Sequence, residues 1–239
     1  MKTAQSLNLP SLLSALVTAA LLATGCASSG PKEGTVRQVS KYKAADGRTI
    51  DIGTPTAADG GRSFKNPHLE KCWIADGFTF SGYDTLFIAP TASTAQVKDD
   101  ELERLQLARE TIPSKLVYFL TPKGMFTNIV TKETDLKPGA RVLKLENSII
   151  DYSKGSRAAR FFAGLYGAGQ PLLHVEGKMI DGDKPVFTYE GRRSGTSVGS
   201  RAFGEFMSGD DIQTEDVHSM MLDLTDFMAA IAGKYTPKD

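Results

Sequence analysis

Few residues in this chain are placed to do chemistry. Gly195-Thr196-Ser197-Val198-Gly199 spells Gly-x-Ser-x-Gly. In a nucleophile elbow that lettering marks a tight turn between a buried strand and a helix, which lifts a serine hydroxyl toward a histidine base. His174 and His218 are the histidines that could serve Ser197. The flanks do not supply an elbow. Arg192, Arg193 and Ser194 stand where an apolar strand is needed, and Ser200, Arg201 and Gly204 stand where a helix should begin. A serine hydrolase is therefore kept as an alternative, and no catalytic residue is assigned. His68, His174 and His218 lie far apart, none with a second histidine at ligand spacing, so no metal ligand is assigned. His174 falls on the polar side of an alternating strand and His218 near the start of a helix, positions that suit solvated or capping residues. Gly164, Gly167 and Gly169 are closed by no Lys-Ser or Lys-Thr and follow no strand–glycine–helix order, so no nucleotide cofactor is implied. The acid pairs Asp99-Asp100 and Asp210-Asp211 suit the positive ends of helices.

Residues 155–169 are richer. Gly155-Ser156-Arg157-Ala158-Ala159-Arg160-Phe161-Phe162-Ala163-Gly164-Leu165-Tyr166-Gly167-Ala168-Gly169 joins two strands, where a hairpin needs only two to five loop residues. Its aromatic content argues against disorder. Three readings stay open. The aromatics pack into the core while the arginines pair with carboxylates such as Asp151. Or Arg157, Arg160, Phe161, Phe162 and Tyr166 form an exposed partner-binding surface, since arginine with aromatics is typical of interfaces. Or the segment dips into a membrane or lines an oligomeric pore, although it is too short to span a bilayer as a helix. A second loop from Gly191 to Gly209, with Arg192, Arg193, Arg201, Phe203 and Phe206, could share that surface.

The N-terminus carries another chemistry. Lys2 gives a positive start, and Leu12 to Ala23 is apolar apart from Ser14 and Thr18. That stretch falls short of the roughly 20 residues a span needs and has the length of a signal-peptide core. Leu22-Ala23-Thr24-Gly25-Cys26 resembles a bacterial lipobox, in which small residues fit the peptidase and the thiol accepts a diacylglycerol. The resemblance implies cleavage after Gly25 and lipid on Cys26. Ala27, not Asp, follows the cysteine, which by the rules of such lipoproteins favours sorting to the outer membrane. The alternative is a plain secretory signal ending near Ala23. With Cys26 acylated, Cys72 beside Trp73 is the remaining thiol, and the expectation is a buried apolar role.

These groups need elements to hold them. Residues 26–70 carry turn signals at Asp46-Gly47, Thr54-Pro55 and Asp59-Gly60-Gly61 and only scattered apolar residues. They are expected to be a lipidated tether with at most a short hairpin at Asp46-Gly47. About 40 flexible residues reach roughly 35 Å. Residues 71–235 form the globular domain. Thr85–Ala89 is a buried strand. Leu102, Leu105, Ala108, Ile112, Leu116 and Phe119 mark a helix, which Pro113 should kink or split. Phe126–Thr131 is a second strand, which makes a strand–helix–strand opening. Arg141–Tyr152 and the run from Leu173 to Met179 alternate as half-buried strands, and Asp181-Gly182 turns the chain back through Val186–Arg192. Val217, Met220, Met221, Leu224, Phe227, Met228 and Ile231 mark the last helix, which Gly233 ends. The expected fold is α+β, an antiparallel or mixed sheet with two main helices.

Composition narrows the function classes. The chain has 239 residues, 28 Lys plus Arg against 28 Asp plus Glu, and two cysteines. Zero net charge excludes a strongly basic nucleic-acid binder, and two cysteines exclude a disulfide scaffold. Asp151-Tyr152, the Arg157-Ala158-Ala159-Arg160 run, Gly164, Gly167-Ala168-Gly169, Val175-Glu176 and Asp181-Gly182 together resemble the bacterial lipoproteins of domain-of-unknown-function family 4410, over about Tyr83 to Ile231. The resemblance implies a compartment and a fold, not a reaction. In architecture the chain is also similar to envelope accessory lipoproteins such as activators of cell-wall synthases. The resulting expectation is a non-catalytic outer-membrane lipoprotein facing the periplasm, with a periplasmic or outer-membrane protein partner and no cofactor. A self-assembling structural or pore component is the alternative.

Overall fold

The computed structural model describes residues 39–156, 171–194 and 209–238, with side chains of the last helix described from Thr214. Cys26, Arg157, Arg160, Phe161, Phe162, Tyr166 and Ser197 lie outside the described residues.

The strands in chain order are β1 (Lys41–Lys43), β2 (Thr49–Asp51), β3 (Pro55–Ala58), β4 (Gly61–Phe64), β5 (Lys71–Ala75), β6 (Thr85–Ile88), β7 (Ala92–Ser93), β8 (Asn128–Val130), β9 (Val142–Ser153), β10 (Leu172–Asp181), β11 (Lys184–Ser194) and β12 (Thr236–Pro237). The helices are α1 (Leu102–Leu120) and α2 (Gly209–Ile231). The main sheet runs β3-β4-β5-β11-β10-β9-β6-β8, with β7 added on β9. It is antiparallel from β3 to β9 and parallel at β9-β6-β8. This is a mixed sheet with two main helices, and α1 makes the crossover between the parallel strands β6 and β8. A small sheet, β12-β1-β2, stands apart in pairing.

Strand alternation decides which face is covered. Along β9, β10 and β11 the inward positions are Leu143, Leu145, Val175, Met179, Phe187 and Tyr189, all buried. Ile112 and Leu116 of α1 and Met220, Leu224 and Phe227 of α2 join the same core. Close packing of α2 on β11 shows at Gly191, where a Cβ would stand 3.1 Å from the Met220 sulfur. Burying a large aliphatic or aromatic side chain contributes about 1.5–3 kcal/mol, so this one face holds most of the stability.

Two expectations are corrected. The tether does not extend to residue 70. Residues 39–70 include β1 to β4, and Ile52, Phe64 and Leu69 are buried in the main core. Singly scattered apolar residues suffice because each strand borrows its neighbours' core: the Phe64 ring meets Phe227 of α2 edge-on at 5.3 Å. Pro113 does not split α1, which is continuous from Leu102 to Leu120. Proline removes one hydrogen bond, to the Arg109 carbonyl, while fully buried Ile112 and Leu116 fasten the helix on both sides. The expected hairpin at Asp46-Gly47 is present as β1–β2, and Cys72 is buried, its thiol pushed up in pKa by desolvation. Among the described residues no helix is long and apolar enough to cross a membrane.

Candidate functional site

The helices leave the other face of β5, β11, β10 and β9 to polar side chains. In register across the strands, Lys71 pairs with Glu190, Glu190 with Glu176, and Glu176 with Ser148. One row further, Trp73, Thr188, Lys178 and Glu146 are aligned. Apart from Trp73, these residues line an open groove of about 630 Å³ together with Pro90 and with Ala92 of β7. Opposite charges pair on part of this face, as cross-strand neighbours of opposite sign favour, while Glu176 and Glu190 stand directly opposite each other as like charges. Glu146 accepts from Lys144 at 2.8 Å and from Lys178 at 3.2 Å. The Lys144 hydrogen bond, supported by Lys178, holds the Glu146 carboxyl below its ordinary pKa.

At one end of the groove the pairing becomes denser. His174 of β10 stands opposite Arg192 of β11 and diagonal to Glu190. Its Nε2 is 3.0 Å from Glu190 Oε1, and its Nδ1 is 3.3 Å from Arg192 Nη2. A guanidinium only donates hydrogen bonds. Nδ1 therefore carries the lone pair, and the neutral ring keeps its proton on Nε2, directed at Glu190. Glu70, just before β5, is 3.5 Å from Arg192 Nε through its Oε1. One ligand atom each from Glu70, His174 and Glu190 lies within 4.8 Å of the other two.

The structure therefore corrects the placement of the histidines. His174 takes an outward strand position, yet its ring is only 8% exposed. It sits against Glu190 and Arg192 of β11, beside the point where β9 carries Ile150 as an extra residue opposite His174 and Val175. His218 is half-buried inside α2, edge-on to the Phe119 ring at 4.9 Å, not at a helix start. Their rings are engaged with Glu190, Arg192 and Phe119. A strand, β11, does run directly up to residue 194, so the elbow lettering at 195–199 has the preceding strand that its charged flank argued against. Arg193 also leaves the proposed basic loop. It is buried at the inner end of β11, where Nη2 is 2.5 Å from Asp223 of α2 and Nη1 donates to the His68 carbonyl.

The entry to residues 157–170 is fixed by a buried carboxylate at the start of α1. Glu101 Oε1 accepts from the Lys154 backbone N–H at 2.8 Å and Oε2 from Lys98 N–H at 3.3 Å. Asp100 pairs with the Lys154 ammonium. Beyond the segment, Leu172 resumes pairing opposite Ser153, so residues 154–171 link adjacent strand ends.

Two further buried carboxylates sit on α2. Asp226 is shared by Arg48 Nη1 at 2.6 Å, Lys123 Nζ at 2.5 Å and the Tyr235 hydroxyl at 2.6 Å. It ties the β1–β2 hairpin, the turn after α1 and the C-terminal segment to one point. Asp216 is fully buried, and neither of its oxygens has a hydrogen-bond partner among the described residues. Burial raises its pKa to about 7, against the opposing pull of Arg193 and with a small push from Glu215.

No curated protein matches the chain. Among solved structures, the PelC dodecamer from Paraburkholderia phytofirmans is 14% identical, with 64% of this chain and 96% of that chain covered and a TM-score of 0.39. A DUF330-family protein from Xanthomonas campestris is 10% identical, with 67% and 91% covered and a TM-score of 0.39. A neuraminyllactose-binding hemagglutinin homolog from Helicobacter pylori is 6% identical, with 61% and 83% covered and a TM-score of 0.30. The model for the domain of unknown function DUF4410 matches residues 75–208, more than half of the chain, so the chain belongs to that family.

Proposed function

We propose that this chain is a non-catalytic lipoprotein of the outer membrane. Lipid on Cys26 holds it, its folded part faces the periplasm, and it acts by binding a periplasmic or outer-membrane protein in envelope assembly or transport. The observation that carries the reading is the sequence Leu22-Ala23-Thr24-Gly25-Cys26 behind a short apolar core. Several acyl chains on one residue give stable anchoring, because each buried methylene adds about 0.8 kcal/mol. The open polar face supports binding over catalysis. Lys178 is matched with Glu146 across strands, and each ring nitrogen of His174 already faces a charged neighbour. The contact surface assigned to Arg157, Arg160, Phe161, Phe162 and Tyr166 belongs to this proposal.

The test has two arms. Cells fed labelled palmitate should label the wild-type chain and not Cys26→Ala, and the variant should leave the membrane fraction. A photo-reactive residue at Phe162 should then capture a distinct envelope protein. Labelling that survives Cys26→Ala defeats the anchor. Adducts with a second copy of the chain alone would replace partner binding by self-assembly.

A further inference from the structure

We propose that Glu70, His174 and Glu190 form a binding site for a divalent transition-metal ion of the zinc class. The inference is independent of lipidation and of any protein partner.

The argument rests on donor type, geometry and rigidity. One imidazole nitrogen and two carboxylate oxygens form a mixed set that suits zinc, cobalt or nickel better than magnesium or calcium. An ion at ~2.0–2.2 Å from each ligand atom sets neighbouring ligand atoms roughly 3–3.5 Å apart. His174 Nε2 and Glu190 Oε1 already stand at 3.0 Å, and the ligand atoms of all three residues lie within 4.8 Å. Closing the set needs only a turn of the Glu70 side chain, which is 46% exposed. His174 is the fixed member: its ring is nine-tenths buried, on a strand paired on both sides. Three protein ligands leave the remaining positions to water on the groove side, where Glu190 lines the wall.

Arg192 is the competitor, and it makes the proposal sharp. It donates toward Nδ1 and sits 3.5 Å from Glu70. An ion on Nε2 displaces the proton held there. The neutral imidazole then carries its proton on Nδ1, where Arg192 can no longer donate. Arg192 must turn outward, which its half-exposed side chain allows. Glu70, Glu190 and Arg192 together carry a net charge of −1, which becomes +1 with the ion bound. Removing Arg192 should therefore strengthen metal binding, whereas a plain surface ion-pair cluster has no such response.

The experiment uses the full chain, stripped with a chelator, titrated with Zn²⁺ by calorimetry and with Co²⁺ by visible absorption. One ion per chain is expected, with the Co²⁺ bands of a site containing nitrogen and oxygen ligands. Glu190→Gln and Glu70→Gln should each weaken binding roughly tenfold or more. Glu70 is exposed and Glu190 half-buried, and glutamine keeps the shape of each side chain, so folding is not at stake. Arg192→Met should tighten binding severalfold, and His68→Ala should leave it unchanged. No binding up to about 1 mM Zn²⁺, beyond the weakest affinities worth naming, overturns the proposal. So does binding that both glutamine variants leave intact, or binding that Arg192→Met weakens.

Discussion

Asp216 offers a quantitative test of how this core is charged. Its carboxyl is fully buried on α2, without a hydrogen-bond partner among the described residues, and its pKa is raised to about 7. The groups that act on it are Arg193 on β11, which favours the charged form, and Glu215, which opposes it; burial outweighs both. An Asp in an unfolded chain titrates near ~3.9, and each unit of difference is about 1.4 kcal/mol. The folded state binds the proton more tightly, so the contribution is fully present below ~3.9. It is lost as pH rises, and about 4 kcal/mol is gone once pH passes 7. Asp216→Asn cannot ionise and escapes that loss. The variant should match the wild type near pH 4 and exceed it by about 4 kcal/mol near pH 8. With a urea slope of about 2 kcal/mol per molar, its midpoint should move up by about 2 M at pH 8. The chain has a single tryptophan, Trp73, whose emission can follow the transition. An equal difference at both pH values, or a less stable variant at pH 8, refutes the account of Asp216 as a carboxyl held neutral by burial.

Three other changes probe the frame around the site. Gly177→Ala puts a Cβ 2.1 Å from the Tyr189 ring and 2.9 Å from Asn147 Oδ1, across the buried Tyr189–Asn147 hydrogen bond. It should cost about 3 kcal/mol, visible as a fall in melting temperature, and an unchanged melting temperature contradicts the packing. Asp226→Ala removes the acceptor shared by Arg48, Lys123 and Tyr235. It should destabilise by about 3–5 kcal/mol in urea, and a loss under about 1 kcal/mol would make that junction a surface pair in effect. Pro113→Ala restores a helical hydrogen bond to Arg109 and should raise stability by about 1–3 kcal/mol. A fall in the thermal midpoint would show that the proline ring packs better than it disrupts.

Much of the fold was legible because its long elements repeat a period. In α1, Leu105, Ala108, Ile112 and Leu116 recur at helical spacing and are buried as that spacing predicts. Leu102 opens the same stripe and is 52% exposed, since it lies in the first turn, where the helix has only just reached the core. The alternation in β9 and β10 and the turn at Asp181-Gly182 agree with the strands and with the β10–β11 hairpin. Residues 39–70 defeated the same method. Their strands are three or four residues long, too short to show a period, and their inward residues are buried by partners far along the chain. Phe64 is an instance: its ring contact, Phe227, is 163 residues away. Asp216 was partly legible. It stands just before Val217 and four residues before Met220, inside the apolar stripe of α2, and a carboxylate in such a stripe is either paired or shifted in pKa.

The cluster at Glu70, His174 and Glu190 was missed for a different reason. Ligand pairs on one element show as spacing along the chain, and no such spacing exists among the histidines. In an antiparallel hairpin the relevant distance is register, not separation. Counted back without a break from the turn at Asp181–Lys184, His174 would meet Gly191; the register shift between Met179 and Ile180 brings it opposite Arg192, with Glu190 two residues nearer the turn on the same face. The outward position of His174 follows from the alternation, but which residue of β11 stands opposite it depends on that shift. Glu70 does not follow from any local pattern, because it is delivered by the pairing of β5 with β11, a contact between segments more than a hundred residues apart. The burial of His174 likewise depends on the side chains of Glu190 and Arg192 that close over it, which no residue type in β10 announces. Of the site, the outward position of His174 is readable from sequence, while its partner on β11 depends on the shift in register. The part that closes it depends on which strand docks at the hairpin's edge, and that choice is made by the core on the opposite face, through Cys72 and Ile74, rather than by the charged residues it brings together.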